Sequence, residues 1–531
     1  MPTYIEATIS LHVDDAPEMF VAHVDGTESL GRPYSFVVDV LTDADVTFDP
    51  RSVIAERATL TFHRHPGEGP VTELRTISGV ITEVVEGLSG GTEVKSYTLK
   101  IEPPVAVLAQ IHGQEIFVGA PIPDVIVEKL TQGDIDLPHT MRVLAPAAYV
   151  DSTDTELWTD APATGFPGEP RLVTQYKETD LSFLMRLAEH VGLAMFFEPG
   201  DEGDVAVFTD HNGGFTAAED AIAFHGDGSG HGILSLRRRT RWVPTTVFVA
   251  DYNYRAPTQT LRDTEGAMVF DVLGARSDLA QNWPGISVEF APNVKNDKEA
   301  QLIAKVRAEE LASSCDRYEG SGQVPAIAAG LKFKISGHAT VPDTQELVAV
   351  EVKHTYTAPP ALRINGGTET PQYSSTFEAV PVRTGNEAFT VRAQRRTPKP
   401  RIHGFVNGVV VAPDDGLSAQ YQHLDGVGRY LVKMHFAQGD MPTMPRIRLA
   451  QAHAGPNYGI HFPLRPGTEV LIAFCDGDPD RPHILAAIPN AITQSPVVAT
   501  SQEGAPIDPN RILTRSGILI ELSDGDPPAT S

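Results

Sequence analysis

Three carboxylates at alternate positions, Asp476, Asp478 and Asp480, come nearest in this chain to residues whose types and spacing could hold a metal. A calcium loop of the EF-hand kind needs a Gly at its sixth position and a Glu at its twelfth. Counted from Asp476, those positions hold Arg481 and Ala487, so the pattern fails for calcium. Asp478-Pro479-Asp480 reads instead as a turn between strands. His63 and His65 lie two apart and can share a strand face, but the sequence indicates no further ligands for zinc. No HExxH supports a zinc hydrolase and no GxSxG elbow supports a serine nucleophile. Glu189 and His190 fall in a helical stretch and read as part of its packing surface rather than as an acid–base pair. Cys315 and Cys475 are far apart and lack ligand-like spacing, which disfavours a disulfide framework or zinc site and fits a reduced, cytosolic fold. The expectation is a protein that is not an enzyme, with no catalytic residue, cofactor or metal.

Composition narrows the partners. The chain has 531 residues, 42 Lys and Arg against 69 Asp and Glu, and a formal charge of −27. A strongly acidic chain is a poor ligand for phosphate backbones, so nucleic acid is not expected as a partner. Hydrophobic residues at 41% and charged residues at 21% are ordinary for a globular protein, while 42 prolines fit many short strands joined by turns. The first residues lack a basic stretch followed by an apolar core, so no signal peptide is expected, and no long apolar run suggests a spanning helix.

The elements that would position these residues are mostly strands. Residues 396–490 read as an OB-type barrel of about five strands. Gly428 closes a Gly-rich turn after Asp425, and Arg429 opens a strand with Tyr430, Val432, Met434 and Phe436 on one face and Leu431, Lys433 and His435 on the other. Gly455, Gly459 and Gly467 mark further turns, and Glu469 and Val470 start another strand before the Asp478-Pro479-Asp480-Arg481-Pro482 turn. Residues 1–105 read as an antiparallel β unit and 106–204 as a mixed α/β segment. Within the latter, Thr179 or Asp180 caps a helix carrying Leu184, Leu187, Ala188 and Val191 at helical spacing, with Gly192 as its stop. Residues 150–170 read as an exposed loop. Residues 205–395 read as a second β unit with a helix from Lys298 to Leu311, and the basic run Arg237 to Arg241 as a solvated edge or a subunit salt-bridge strip. Residues 395–400 read as a charged, Pro-containing linker. In 491–531, Ile518, Ile520 and Leu522 share one face of a strand that has no visible partner in its own chain.

The run Asp425-Gly426-Val427-Gly428-Arg429 with Val432-Lys433-Met434-His435-Phe436 resembles the GR-x-KV-x-F/W segment of VgrG spike proteins of contractile injection systems. Ala454-Gly455, Tyr458-Gly459, Pro466-Gly467-Thr468-Glu469-Val470 and Gly477-Asp478-Pro479-Asp480-Arg481-Pro482 continue the resemblance in order. Gln175 to Gly192 resembles a helical block of the same family's hub. The resemblance implies a mainly β protein with an α+β hub: two hub β-barrels with helical insertions, an OB-type neck and a short intertwined β-prism needle, as a homotrimer. It implies a structural hub-spike that adapts a six-fold inner tube to a three-fold membrane-puncturing spike and nucleates baseplate assembly. The implied partners are an Hcp-like inner tube protein, baseplate proteins, a PAAR-repeat tip protein and effector cargo. Assembly is expected in the cytoplasm, with delivery to the target envelope on contraction. The other readings are a phage-spike-like cell-wall hydrolase, for which the short stretch between barrel and needle leaves no catalytic domain, and an OB-fold nucleic-acid binder. The usual His after Gly517 is replaced by Ile518.

Overall fold

A computed structural model describes residues 6–523 outside 47–48, 66–70, 89–93, 145–171, 229–230, 253, 255–260, 263–266, 269–284, 295–296, 359–370, 386–387, 413–423, 426–427, 438–443, 457 and 496–508. The loop expected at 150–170 therefore lies outside the described residues. Two compact units emerge. The hub unit takes Met1–Gly113, Gly119–Arg171 and Lys177–Lys399, and the barrel unit takes Gln114–Val118, Leu172–Tyr176 and Pro400–Ser531.

The hub unit is built on a sheet of 13 strands. Its first half runs β1 (Glu6–Val13), β4 (Arg57–His65), β5 (Thr72–Gly87), β6 (Val94–Glu102), β3 (Arg32–Asp43) and β2 (Phe20–Ser29) in that spatial order. Strands Glu346–Thr357, Gln372–Pro381, Asp316–Gly322 and Ile233–Thr240 continue the same path. The seam is antiparallel pairing of β2 with the strand Glu346–Thr357, in register from His23↔Thr357 to Ser29↔Glu351. What sequence patterning reads as two separate β units is thus one continuous sheet. Alternation explains its faces: Tyr34, Phe36, Val38 and Val40 of β3 are buried with Leu60, Phe62, Leu99 and Ile101 in a core that also takes Tyr356 and Tyr373 from the second half. A second core gathers Ile233, Phe333, Ile335, Leu347 and Phe377.

Among the described residues three α-helices accompany the sheet: α1 (Ile122–Leu130), α2 (Asp180–Val191) and α3 (Asp297–Cys315). For α2, the Thr179 hydroxyl accepts from the Ser182 N–H, and Gly192 takes the left-handed conformation (φ +78°) that ends the helix. Its apolar stripe of Leu184, Leu187, Ala188 and Val191 is buried.

In the barrel unit the sheet order is Arg446–Arg448, Arg429–Met434, Phe405–Val410, Glu469–Phe474 and Pro482–Ala487. A bridge from Leu449 to Ile484 joins the first strand to the last, so the barrel closes and leaves no free edge there. The segment expected as a single strand at 512–522 is a hairpin, Pro509–Leu513 against Leu519–Ser523. Gly517, at φ +88°, and the Thr514 N–H to Ile518 carbonyl bond make its turn.

Candidate functional sites

The motif residues of the barrel serve its turns, its core and its internal hydrogen bonds. Tyr430, Val432 and Met434 point into the core while Lys433 and His435 face outward. Gly428 sits at φ +79° and Gly467 at φ +88°, where an L side chain would be strained. At Gly455 a Cβ would fall 2.2 Å from the Tyr458 ring, and at Gly459 one would fall 2.5 Å from the His453 carbonyl, so the small hairpin they form excludes side chains at both. The Arg429 backbone N–H and Nε both donate to the Asp425 carboxylate, at 2.9 and 2.6 Å. This arginine is almost fully buried and is satisfied inside its own turn. Glu469 accepts from Asn407 and Asn490 through its two oxygens, at 2.9 and 2.8 Å. Val470 lies in the barrel core, and the ring of Phe436 lies edge-on to Tyr176 with centroids 5.2 Å apart.

The three alternating carboxylates do not converge. Asp476 pairs with Arg401 at 2.9 Å, and Asp478 accepts from the Asp480 N–H at 2.9 Å. Asp480 accepts from the backbone N–H of Thr174 at 2.7 Å, and the Thr174 hydroxyl donates to the Pro479 carbonyl at 3.2 Å. The turn from Asp478 through Arg481 to Pro482 is closed by the Arg481 N–H on the Asp478 carbonyl. Its function in the fold is to hold a two-stranded ribbon, Ile116–Val118 against Leu172–Thr174, whose Ile116, Val118 and Leu172 join the barrel core. Sequence reading assigns both ribbon strands to the hub. Strands of three residues are too short to show a period.

Exposed apolar side chains mark the hairpin at the chain's end. Ile518, Ile520 and Leu522 are each more than half exposed, and Ile512, Leu513 and Leu519 nearly half. An isolated two-stranded hairpin is marginal in water, and one with uncovered apolar side chains presents a surface to a partner.

Inside the hub unit, a buried charge network crosses the seam. Arg75 of β5 forks both oxygens of Glu28 on β2, at 2.7 and 2.9 Å. His354 approaches Glu28 through Nε2 at 2.8 Å and the Tyr373 hydroxyl through Nδ1 at 2.7 Å. With an ionised Glu28 as acceptor, Nε2–H donates, so Nδ1 accepts from Tyr373. Burial pushes the Glu28 carboxyl up, but the Arg75 charge and the hydrogen bonds from His354 and Arg75 outweigh it and hold it at about 2. Burial, only partly offset by Glu28, pulls His354 below its ordinary value, and burial lifts Asp204 to about 6. Glu28 shares the inward parity of Val24 and Gly26 along β2, the one sequence signal that could have found it.

A second cluster explains Glu189, His190 and the supposed linker. Glu189 Oε2 accepts from the N–H groups of Arg396 and Thr397 at 3.1 and 2.9 Å, while Oε1 pairs with Arg32 at 2.7 Å. His190 gives its carbonyl to Arg307. Arg395 pairs with Glu310 and Glu289. The stretch before Lys399 is therefore tied to the hub unit rather than free in solvent. The basic strand is likewise spoken for: Arg237 and Arg239 both meet Glu319, and Arg238 donates to Asp316 at 2.7 Å. His63 bonds Ser10, and the side chain of His65 lies outside the described residues. The letters GxSxG do occur, at Gly87 to Gly91, but between the paired strands β5 and β6 rather than at a strand-to-helix elbow. No group of three metal-binding side chains exists among the described residues.

A continuous β sheet and a closed five-stranded barrel in one chain are the architecture on which the comparisons with known proteins bear. A family model described as the phage tail baseplate hub (GPD) matches residues 27–360. One described as the type VI secretion system/phage-baseplate injector OB domain matches residues 415–488. The chain belongs to the phage tail baseplate hub family. It is 23% identical over 521 residues to the type VI secretion system spike protein VgrG1b of Pseudomonas aeruginosa, covering 95% of this chain and 62% of that protein. It is 27% identical over 334 residues to the actin cross-linking toxin VgrG1 of Vibrio cholerae, covering 61% of this chain and 28% of that one. The chain thus spans less than two thirds of the length of either relative. Its fold is also that of the E. coli c3393 protein, a type VI secretion component with structural similarity to T4 tail proteins gp27 and gp5, at TM-score 0.57 and 19% identity, over 90% of this chain and 99% of that one.

Proposed function

We propose that the chain is the structural hub-spike of a contractile injection system, acting as a homotrimer and not as an enzyme. The observation that carries this reading is the succession, in one chain, of a baseplate-hub match at 27–360 and an injector OB match at 415–488. The terminal hairpin, with apolar side chains left in water, supports it. Three copies winding together would bury Ile518, Ile520 and Leu522 against one another, each worth roughly 1.5–3 kcal/mol if fully covered. Ordering the tail costs about 1–2 kcal/mol per residue of backbone entropy, so the net gain per trimer is modest and a tip partner adds to it. In this reading the hub units, 1–105 with 205–395, sit over a six-fold inner tube of the Hcp kind. The barrel (396–490) is the neck, and 491–531 starts the β-prism needle that meets a PAAR-repeat tip protein. Baseplate proteins and effector cargo are the further partners. The particle would assemble in the cytoplasm and act at the target envelope.

The test is the mass of the purified chain by analytical ultracentrifugation, with and without residues 511–531, and a pull-down with a PAAR-repeat protein. A trimer that weakens on truncation and loses tip binding is the expected result. A monomer at all concentrations overturns the reading.

A further inference from the structure

We propose that a cleft between the two halves of the hub unit binds a small oxyanion, carboxylate or phosphate. The cleft is a cavity of about 150 Å³ bounded by Arg64 and Leu74 from the first half and by His231, Gly232, Gln323 and Tyr373 from the second. Drug-sized ligands occupy roughly 300–1,000 Å³, so this space takes a ligand of only a few heavy atoms.

Charge sets the sign of that ligand. Arg64 is half-buried and, among the described residues, meets no carboxylate. Elsewhere in the unit Arg75, Arg142, Arg186, Arg307 and Arg392 each pair with a Glu. In a chain of net charge −27, an unanswered guanidinium beside a cavity is out of keeping with the surface around it. His231 lines the same wall, and a second imidazole is packed beneath it: a Cβ on Gly232 would lie 2.9 Å from His225 Cδ2 and 2.4 Å from the Ala223 carbonyl. The bare backbone at Gly232 thus leaves room for the His225 ring beside it. Burial, then Arg64 and His225, pull His231 below its ordinary value, as expected where positive groups gather without a counter-charge. The groups facing His231 are Arg64 on β4, His225 beside it and Tyr373 on the strand Gln372–Pro381.

A guanidinium fork with a titratable imidazole forms a donor set suited to planar or tetrahedral oxyanions. Arg supplies a fixed charge and two parallel N–H groups. His231 supplies a third donor once protonated, and a bound anion would favour that protonated form. Apolar Leu74 and the Tyr373 ring limit the ligand to the headgroup itself. The same chemistry fits a free anion or a Glu or Asp side chain of a partner polypeptide.

The experiment is calorimetric titration of the full chain at pH 6, at constant ionic strength, with inorganic phosphate, with acetate and with a capped tripeptide carrying one Glu. Saturable binding of at least one probe is expected, weakened about tenfold or more by Arg64→Gln and by His231→Gln, and weakened on moving to pH 8. Arg51→Gln, at an exposed arginine, should leave it unchanged. Binding of phosphate or acetate but not the peptide assigns the site to free anions, and binding of the peptide assigns it to a protein side chain. Should Arg64→Gln not fold, His231→Gln alone carries the comparison. Heats that never saturate, or that are equal in wild type and both cleft variants, overturn the proposal.

Discussion

The backbone N–H of Thr174 donates to Asp480 at 2.7 Å, across 306 residues of sequence. Thr174 is fully buried, so its N–H has no water to fall back on. Asp480→Ala should destabilise the barrel unit by about 1–3 kcal/mol, the cost of a buried donor left unmet. Urea unfolding followed by a barrel-specific probe checks this. An unshifted midpoint would mean that the ribbon is held by its apolar contacts alone.

Arg429 and Asp425 form a second pair whose value can be isolated. Removing the buried guanidinium by Arg429→Ala should cost about 1.5–3 kcal/mol, the range for hydrogen bonds to charged groups. The double variant with Asp425→Ala should cost less than the sum of the single changes, because both act on one contact. If the two effects add, the turn is not clamped by this pair. A trimer that falls apart without loss of barrel stability would place Arg429 at a subunit boundary instead.

In the hub, Leu187 lies in the core on the buried face of α2, so Leu187→Ala should cost roughly 2–5 kcal/mol. Amide exchange over 180–191 reads the helix directly. Rapid exchange there in the unmutated protein would contradict the packing described.

Acid acts on the seam in opposite directions. Asp204 has its folded value raised to about 6 from 3.8, so between these values the folded state binds the extra proton and gains stability as pH falls. His354 is depressed below 6.5, so the unfolded chain protonates first and stability is lost as pH drops below 6.5. Glu28, at about 2 against 4.5, contributes stability that is full above 4.5 and disappears as pH approaches 2. The Asp204 gain offsets part of the His354 loss as pH falls below 6, and the Glu28 contribution is lost below 4.5. Asp204→Asn removes the offsetting gain, so its stability should decline more than the parent's between pH 6 and 4. Parallel profiles for the variant and the parent would rule out Asp204 as the opposing group.

The barrel was legible because its cues are local. Alternation put Tyr430, Val432 and Met434 inside, and glycines marked turns that do need φ > 0 at Gly428 and Gly467. Helix α2 was legible for the same reason, with a cap at Thr179 and a stop at Gly192. What stayed hidden depends on pairing between distant segments. The ribbon at Ile116–Val118 and Leu172–Thr174 carries too few residues to show a period, and its place in the barrel core follows from contacts that no window of sequence contains. The charge of Arg395 looks solvated when read alone because its anchor Glu310 lies far upstream, as does Glu189, which holds the backbone N–H of Arg396. The strand at 512–522 turned out to be a hairpin because Thr514 and Gly517 make a turn inside the alternating run.

The seam also sets a timetable for synthesis. β2 pairs with β3 as soon as both are made, but finds its second neighbour only when the segment up to Thr357 has emerged, since His23 pairs with Thr357. At about 5–20 residues per second, a ribosome leaves that edge open for roughly 15–70 s. During this interval β2 offers unsatisfied backbone groups, and Glu28 waits for His354. An open strand edge of this kind makes a partly synthesised chain prone to aggregation. Its late closure is a long-range pairing, which slows folding of the hub.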